Sequence, residues 1–488
     1  MALSSSFLCH ILVSLRLKFI VSIVYVRCGN MQKQLFRQYD IRGKIGTEIS
    51  PDDFYYLAHA TIHYLQQQGP LLAIVLGMDG RVHSQAIYQE IAAACKMAGV
   101  DVYYLGVCST PITTFAHYQL PVQASFMITA SHNPADYNGL KISYQKVAVE
   151  GEKLQQIYEL FVRKTIVQGD TSGLLFDATE MTEMYVTTLV EQFSHLKKFN
   201  QPCFIDCGNG TAGPILEKLI HKMGWKNIQL LFKEVDGTYP NHTADPTDMK
   251  NMTFLYDTLH QNPGSFGVGL DGDCDRVAII TATQGLVSAD RLLTLFAQAM
   301  QAQVVIADIK SSTVLQSSGA QIILAATGCA NIIQAMHEHH AVIGGELSGH
   351  FFFKDRHDGY DDGIYAMLRY FEILMQKNTD CDTFVATLPE LFSTKDIRIP
   401  CADTYKFQVV QEIKTQLIAD QQFKITTVDG IRFETLDGWA LIRAANTQPM
   451  ISVCCQASSP IKLQEMKRFL VLLLQPYIEI KILEQYIL

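Results

Sequence analysis

Three stretches of the chain share one order of hydrophobic and polar positions: a short apolar run, a polar loop and an amphipathic run. The first stretch begins with Ala73–Leu76 and ends with a helical pattern over Ser84–Met97. The second begins with Cys203–Asp206 and ends with the helical pattern Pro214–Met223, and the third begins with Val304–Ala307. A strand, a loop and a helix form the unit of a parallel sheet, so the pattern predicts three related α/β domains with mixed, largely parallel sheets.

The C-terminal part has a different pattern. Short strands are predicted at Ile397–Ile399, Thr426–Val428 and Trp439–Arg443, followed by a closing helix at Ile461–Leu474. These elements predict a smaller α+β domain with an antiparallel sheet. The predicted domains are residues 31–173, 174–284, 285–392 and 393–488.

The first thirty residues differ from the rest of the chain. Phe7–Val26 is strongly apolar, but Arg16 and Lys18 lie in its middle, which disfavours a membrane-spanning helix. A signal peptide would carry its charges before the apolar run. We interpret residues 1–30 as a mis-called extension before a true start at Met31, with a membrane anchor as the alternative.

The composition excludes some functions. Of 488 residues, 48% are hydrophobic and 18% are charged, which predicts large packed cores. The net charge of −9 argues against a nucleic-acid partner, because phosphate backbones require clustered Lys and Arg. The 12 cysteines include no C-x-x-C pair, so the sequence favours reduced thiols over a zinc site or a disulfide framework. We therefore expect a cytoplasmic protein with no membrane partner.

The first motif that can carry chemistry is Thr129–Pro134, which follows the apolar run Phe126–Ile128. A serine at the end of a strand is well placed to be an accessible nucleophile, and we expect Ser131 to be exposed. Lys141 could serve as a cation or a proton carrier. An ordinary turn and a Ser-His-Asp hydrolase are alternatives, but no G-x-S-x-G sequence surrounds Ser131 and His132 is its direct neighbour.

The second motif is an acidic run with Asp271, Asp273 and Asp275 at alternate positions. In an extended backbone these carboxylates would point to one side, which is costly without a cation. Oxygen ligands favour Mg²⁺ over zinc. An EF-hand is excluded because Arg276 stands where Gly is required and Ala282 where Glu is required, whereas a solvated acidic turn remains possible.

The third motif combines a carboxylate, a hydroxyl and an imidazole after paired glycines. Gly344 and Gly345 predict a loop with backbone freedom, and Glu346, Ser348 and His350 alternate behind them. These side chains suit sugar hydroxyls, which both donate and accept hydrogen bonds. A glycine-rich turn without a function is the alternative.

The fourth motif runs from Arg443 to Pro449 and offers donors for a phosphate group. The guanidinium of Arg443 matches phosphate geometry, and Asn446 and Thr447 add further donors. A polar turn that closes a strand would have the same sequence.

One segment favours a different class of protein. Gly208–Gly213 matches G-x-G-x-x-G after a predicted strand and before a predicted helix, and Glu234 ends the next apolar run. An NAD-binding oxidoreductase is therefore an alternative, although it would leave the other motifs without a role.

The order of these motifs resembles that of the α-D-phosphohexomutase superfamily, particularly its bacterial phosphomannomutase/phosphoglucomutase members. The resemblance runs from Phe36–Gly43 to Pro449. It implies four domains around a central cleft. It also implies that the enzyme interconverts hexose 6-phosphate and hexose 1-phosphate of mannose, glucose or both. The reaction would proceed through a phosphoserine and a hexose 1,6-bisphosphate intermediate, and the bisphosphate would also activate the enzyme. The enzyme would be a monomer.

The resemblance implies roles for individual residues. Ser131 would carry the phosphoryl group and, with Asp271, Asp273 and Asp275, would hold one Mg²⁺. Lys141 would be the general base. The residues around the transferring group would be Arg42, His132, Lys141 and Arg276. The substrate would be bound by Tyr39, Lys310, Glu346, Ser348, His350, Arg443, Asn446 and Thr447.

The chain departs from the superfamily pattern at four positions. Ala445 stands where Ser is usual, Cys329 where related enzymes have His, Ile333 where they have Lys, and Cys454 where Arg is frequent. These changes put affinity and substrate preference in question, and a non-catalytic sugar-phosphate-binding relative is an alternative. Leu347 matches the mannose/glucose type of the third motif.

Overall fold

The computed structural model describes residues 31–394, 396–420, 422–445 and 449–488. The interpretation of residues 1–30 and the predicted roles of Asn446 and Thr447 lie outside the described residues. Within these ranges, the helices are too short or too polar to cross a membrane.

The first sheet has seven strands: β1 (Ile41–Lys44), β2 (Ala73–Met78), β3 (Asp101–Val107), β4 (Ala124–Ile128), β5 (Tyr137–Tyr144), β6 (Val147–Ala148) and β7 (Leu175–Asp177). Their order is β1-β5-β4-β2-β3-β7, and β6 pairs with β5. Because β7 pairs with β3, this sheet extends slightly past the boundary predicted at residue 173. Its helices are Lys33–Leu35 (3₁₀), Asp53–Gln68, Ser84–Met97, Thr110–Gln119 and Glu152–Val162.

The second sheet consists of β8 (Cys203–Asp206), β9 (Ile228–Leu231), β10 (Phe266–Leu270), β11 (Val277–Thr281) and β12 (Gly285–Val287). Their order is β12-β11-β10-β8-β9. The helices of this part are Met181–Gln192, Ser194–Lys198 (3₁₀), Ala212–Met223 and Thr253–Gln261.

The third sheet consists of β13 (Val304–Asp308), β14 (Gln321–Ala325), β15 (Ile343–Gly345) and β16 (Phe351–Phe353), in the order β14-β13-β15-β16. The helices of this part are Ala289–Met300, Thr313–Ser318 (3₁₀), Cys329–Glu338, Gly363–Lys377 and Cys381–Ala386.

The three sheets share one topology. Three parallel strands are followed by one antiparallel strand in the orders β3-β2-β4-β5, β9-β8-β10-β11 and β14-β13-β15-β16. In each sheet, one loop joins the last parallel strand to the antiparallel strand. We call these the first loop (residues 129–136), the second loop (271–276) and the third loop (346–350). Each contains one of the first three motifs, so the shared topology places the motifs at equivalent positions.

The C-terminal sheet is antiparallel throughout. Its strands are β17 (Phe392–Ser393), β18 (Ile397–Pro400), β19 (Lys424–Thr426), β20 (Ile431–Glu434), β21 (Gly438–Ala444) and β22 (Met450–Ala457). They are ordered β17-β22-β21-β20-β19, with β18 on β22. The helices are Lys406–Asp420, Pro460–Leu474 and Ile480–Ile487. The predicted strand Thr426–Val428 is wrong beyond its first residue, because the chain turns there and Gly430 adopts a φ of +79°.

The buried apolar residues show how the domains are joined. One cluster contains Phe115 near the first sheet, Ile205 in the second and Phe296 in the third part. The C-terminal domain has its own core. A small cluster that contains Ile309 and Trp439 links it to the third part. The expected fold class, three related α/β domains and a smaller C-terminal α+β domain, is confirmed.

Candidate active site

Ser131 lies in the first loop and is buried, with 1% of its surface exposed. The expected exposed serine is wrong because the second loop covers it. Ser131 Oγ donates a 2.7 Å hydrogen bond to Asp271 Oδ2, and His132 Nδ1 lies 3.1 Å from Ser131 Oγ. The φ of Ser131 is +50°, a left-handed conformation that is costly for a non-glycine residue and that clusters at functional sites.

The carboxylates of Asp271, Asp273 and Asp275 converge in the second loop, with one oxygen of each within 4.8 Å of the others. The predicted extended backbone is wrong. The loop is a turn in which Cys274 N donates to Asp271 O over 3.2 Å and Cys274 adopts a φ of +63°. All three carboxylates are buried, and burial together with Asp275 and Asp273 raises the pKa of Asp271 well above its usual range.

This carboxylate cluster fits a hard divalent cation. Its ligand atoms are all oxygens, and Ser131 Oγ adds a fourth beside Asp271. Asp273 Oδ1 is buried and has no hydrogen-bond partner among the described residues. A buried carboxylate oxygen without a donor is costly, and a cation would satisfy it.

Two cations approach the site from neighbouring strands. Lys141 lies on β5, and its Nζ donates to Asp273 Oδ2 over 2.7 Å and also to Asp275. Burial lowers the pKa of Lys141, but the charges of Asp273 and Asp275 outweigh it and raise the pKa well above its usual value. Arg42 lies on β1, which pairs with β5, and donates to Ala130 O over 3.0 Å.

His132 and Arg276 are two further basic side chains beside the serine and its carboxylate partner. Burial lowers the pKa of His132 well below its usual value, and the charges of Arg276 and Arg42 add to this effect. His132 is therefore neutral and can accept a hydrogen bond. Arg276 follows the carboxylates, and its Nε lies 3.9 Å from Asp271 Oδ2.

The third loop packs against the second loop, where Arg276 Nε lies 3.3 Å from His350 Nε2, and it lines the same cavity as the first loop. It is a tight turn in which Gly349 N donates to Glu346 O over 3.0 Å. Ser348 Oγ and Glu346 Oε2 lie 2.8 and 3.2 Å from His350 Nδ1. Burial lowers the pKa of His350, but Asp275 and Glu346 raise it to about 10. The loop predicted at Gly344 and Gly345 is wrong, because both residues belong to β15 and pair with its neighbouring strands. The helix Cys329–Glu338 packs where a side chain at Gly344 would lie.

These groups surround one cavity of about 450 Å³. Its lining includes ten predicted residues: Tyr39, Arg42, Ser131, His132, Lys141, Asp275, Arg276, Glu346, Ser348 and His350. Asp271 and Asp273 lie directly beneath, in contact with Ser131 and Lys141.

Two predicted phosphate ligands are outside this lining among the described residues. Lys310 follows β13, and its Nζ lies 3.7 Å from Asp308 Oδ2. Arg443 lies on β21, and its Nη1 is 3.2 Å from Asp429 Oδ2. The charge of Arg443 acts on Tyr39, whose pKa is raised, chiefly by burial. Arg443 therefore lies near the Tyr39 side of the cleft.

Several residues of the site were not predicted from the sequence. Thr110 Oγ1 donates to Asp273 Oδ2 over 2.6 Å. Arg81 is fully buried and donates to Ser131 O over 2.8 Å and to Asn133 O over 2.6 Å. Burial raises the pKa of Glu150 to about 8, and Glu346 adds to the effect. The run Asp79-Gly80-Arg81 after a predicted strand was a signal for Arg81, but its target loop lies fifty residues away.

The glycine-rich turn at residues 208–213 supports the second loop instead of a nucleotide. A side chain at Gly210 would lie 2.7 Å from Gly272 O, and Thr211 N donates to the same oxygen over 3.0 Å. A side chain at Gly213 would lie 1.8 Å from Lys233 O. The dinucleotide interpretation is wrong because the backbone of Gly272 fills the space in front of the turn.

Comparisons with known proteins agree with this geometry. Sequence models of phosphoglucomutase/phosphomannomutase alpha/beta/alpha domains I, II and III match residues 33–166, 183–285 and 288–392. The model of the phosphoglucomutase/phosphomannomutase C-terminal domain matches residues 397–473. The chain belongs to the phosphoglucomutase/phosphomannomutase family.

Individual relatives cover nearly the whole chain. It is 32% identical to the phosphomannomutase/phosphoglucomutase of Pseudomonas putida, over 89% of this chain and 94% of that protein. It is also 32% identical to the phosphoglucomutase of Neisseria meningitidis, over 90% of this chain and 96% of that protein. The crystal structure of a family protein from Burkholderia thailandensis superposes with a TM-score of 0.82 at 29% identity, covering 91% of this chain and 98% of that one.

Proposed function

We propose that this chain interconverts hexose 6-phosphate and hexose 1-phosphate through a phosphorylated Ser131. The observation that carries the proposal is the hydrogen bond between Ser131 Oγ and Asp271, which joins the nucleophile to the carboxylate cluster at the base of the cleft. The third loop lines the same cavity with groups suited to sugar hydroxyls. Relatives with high coverage are named for the same activity.

We propose that one Mg²⁺ is held by Asp271, Asp273, Asp275 and an oxygen on Ser131. When bound, the ion would neutralise charge on the transferring phosphoryl group, which is a main requirement of this chemistry. The buried oxygen ligands and the unpartnered Asp273 Oδ1 support this assignment.

The transfer requires that the bond between phosphorus and Ser131 Oγ breaks while a bond to a substrate oxygen forms. The proton of the substrate hydroxyl must then move to a base, for which we propose Lys141. Lys141 carries a proton while it contacts Asp273 and Asp275, so it must first release that proton to solvent before it can accept one from the hydroxyl. A cation bound to the two carboxylates would favour this release. Arg42, His132 and Arg276 would orient the phosphoryl oxygens.

The hexose 1,6-bisphosphate would then turn over in the cleft and return its other phosphate to Ser131. Glu346, Ser348 and His350 would bind the sugar in both orientations, with Tyr39 beside them. The phosphate that does not react would be held by Lys310, Arg443, Asn446 and Thr447. We propose that hexose 1,6-bisphosphate also activates the enzyme by phosphorylating Ser131, and that the substrate is mannose phosphate, glucose phosphate or both.

The free thiols of the described cysteines fit a reducing compartment, and location in the cytoplasm stays a prediction. The monomeric state likewise stays a prediction.

Phosphorus NMR tests this proposal by following glucose 1-phosphate and mannose 1-phosphate with Mg²⁺ and a trace of the bisphosphate. The wild type should produce the 6-phosphate, and Ser131→Ala should lose at least about a thousandfold in rate, as nucleophile replacements do. Ser172→Ala, at an exposed loop, is the matched control. No turnover by the wild type would favour a non-catalytic relative. An active Ser131→Ala variant would contradict the role of Ser131 but not the proposed mutase activity.

A further inference from the structure

A second group of metal-ligating side chains lies beside the three aspartates, and its His350 Nε2 is 3.4 Å from Asp275 Oδ1. Cys329, His350 and Asp361 place one ligand atom each within 4.8 Å of one another. Cys329 Sγ is 3.2 Å from Asp361 Oδ2, and His350 Nε2 is 3.8 Å from the same oxygen. All three residues line the cavity, so a cation can reach them from the cleft.

These distances match those around a tetrahedral zinc ion. With zinc bonds of about 2.3 Å to sulfur and about 2.0 Å to nitrogen and oxygen, neighbouring ligand atoms are about 3.3–3.5 Å apart. The separations of 3.2 and 3.8 Å in the structure differ from this by a few tenths of an ångström, which rotamer adjustments can supply. Three ligands leave the fourth position open to water.

The surroundings also suit a bound metal. Glu346 and Ser348 face His350 Nδ1, as in sites where a carboxylate orients a metal-binding histidine. Nε2 is left facing Asp275 Oδ1 at 3.4 Å and Asp361 Oδ2 at 3.8 Å. Arg276 Nε lies 3.3 Å from Nε2, but the carboxylates of Glu346 and Asp361 are also within 4 Å of the ring. The metal would replace the protons on the thiol and the imidazole.

We propose that Cys329, His350 and Asp361 form an inhibitory site for a thiophilic divalent cation such as Zn²⁺. Sulfur and nitrogen ligands select this class of ion, whereas the all-oxygen cluster selects Mg²⁺. A cation bound to His350 prevents this side chain from binding the sugar, so inhibition should compete with hexose phosphate. Inhibition should also persist in excess Mg²⁺, because Mg²⁺ does not favour sulfur and nitrogen ligands. The inhibitory part rests on the proposed function, but the binding part does not.

Cobalt spectroscopy tests the binding part without requiring activity. Co²⁺ is added to the reduced protein in excess Mg²⁺, and near-ultraviolet absorption reports a bond between cobalt and thiolate. The wild type should develop this band with one equivalent of Co²⁺. Cys329→Ser should lose it, and Cys401→Ser, which changes another partly exposed cysteine, should keep it. A wild type without the band, or a band that survives in Cys329→Ser, would overturn the site.

Zinc inhibition tests the regulatory part. In excess Mg²⁺, Cys329→Ser should require at least about tenfold more Zn²⁺ for half inhibition than the wild type, in line with the loss of a metal-site residue. Each variant is compared with its own zinc-free rate, so a change in basal activity does not affect the result. Equal zinc sensitivity of the two proteins would contradict inhibition at this site.

Discussion

At the scale of single residues, the conformation of Ser131 depends on Arg81, a guanidinium behind the cleft. Arg81 donates to the carbonyls of Ser131, Asn133, Pro134 and Tyr137, and its Nε pairs with Asp79. The planar fork reaches several acceptors at once, which an ammonium group cannot reproduce. Arg81 therefore acts as a positioning residue for a nucleophile in a costly backbone conformation.

Arg81→Lys should lower kcat by about tenfold to a hundredfold, because a small displacement of the nucleophile costs that much in rate, while KM changes little. Steady-state kinetics on the folded variant measure both constants. Arg163→Lys, at an exposed arginine of the same domain, is the control. A folded Arg81→Lys variant with the kcat of the wild type would show that the loop holds Ser131 without this contact.

The carboxylate cluster gives a second prediction at this scale. Activity should disappear in EDTA and return with Mg²⁺, and Asp273→Asn should raise the Mg²⁺ concentration needed for half-maximal activity by at least about tenfold. The variant also loses charge beside Lys141 and an acceptor for Thr110. Asp257→Asn, on an exposed helix position, should behave as the wild type. Full activity in chelator would be incompatible with the assigned metal site.

The sequence predicted ten of the residues that line the cavity, because their chemical types are unusual together within short motifs. It did not predict Arg81, Thr110 or Asp361, because each acts on a residue far away in the chain. It also predicted that Ser131 is exposed, whereas Asp271 of the second loop covers the Ser131 side chain. Local patterns carry no information about which distant loop covers a side chain.

At the scale of elements, residues 240–246, which follow β9, are joined to the end of β8 by a buried ion pair between His242 and Asp206. His242 Nε2 lies 3.1 Å from Asp206 Oδ2, and His242 Nδ1 is 2.9 Å from Thr243 O. Burial lowers the pKa of His242, but the bonds to Asp206 and Thr243 outweigh it and raise the pKa above its usual 6.5. The folded protein therefore favours protonated His242, whose two ring nitrogens donate to Asp206 and to Thr243 O.

Because the folded pKa is raised, this stabilisation should be complete below about pH 6.5 and should be lost as pH rises through the folded pKa. Hydrogen exchange of residues 207–210 and 240–246, corrected for intrinsic rates, should show greater protection at about pH 5.5 than at about pH 9. In His242→Gln this difference should vanish, whereas in His339→Gln, at an exposed position, it should remain. An unchanged pH effect in His242→Gln would contradict the prediction.

The elements themselves were predicted well where apolar periodicity is strong. The helix Ser84–Met97 and the strand Cys203–Asp206 have the predicted bounds. The turns were predicted less well, because alternation of residue types does not distinguish an extended backbone from a turn that gathers the same side chains. The second loop shows this, since Cys274 adopts a positive φ between two aspartates.

At the scale of the whole molecule, the C-terminal domain contacts the third part through Arg432 and through the apolar cluster around Ile309 and Trp439. Arg432 is buried, donates to Ile309 O over 2.8 Å and to Ser311 O over 2.6 Å, and lies 4.0 Å above the Trp439 ring. These contacts orient the domain that carries Arg443 relative to the cleft. The proposed binding of the non-reacting phosphate by Arg443 therefore depends on these contacts.

Arg432→Met removes both hydrogen bonds while keeping most of the volume. It should raise KM for hexose 1-phosphate by about threefold to tenfold with a smaller change in kcat, because the non-reacting phosphate is bound in the ground state and the transition state alike. Arg468→Met, at an exposed position of the same domain, is the control. An unchanged KM, or a loss confined to kcat, would argue against an orienting role.

The arrangement of four domains around a cleft came from resemblance to a family, not from the apolar pattern of this chain. Periodicity predicted three similar units but not that Phe115, Ile205 and Phe296 join one continuous core. Which faces of separate sheets meet depends on contacts between distant segments, which no local pattern encodes.

The central claim is that Ser131 carries the phosphoryl group between the two positions of the sugar. It is tested most directly by incubating the protein with Mg²⁺ and hexose 1,6-bisphosphate labelled with radioactive phosphate, followed by peptide mapping and a chase with unlabelled hexose 1-phosphate. The account predicts one labelled phosphate per chain on the peptide that contains Ser131, transferred during the chase to the added sugar. A label on another residue, or a label on Ser131 that the chase does not remove, would contradict it.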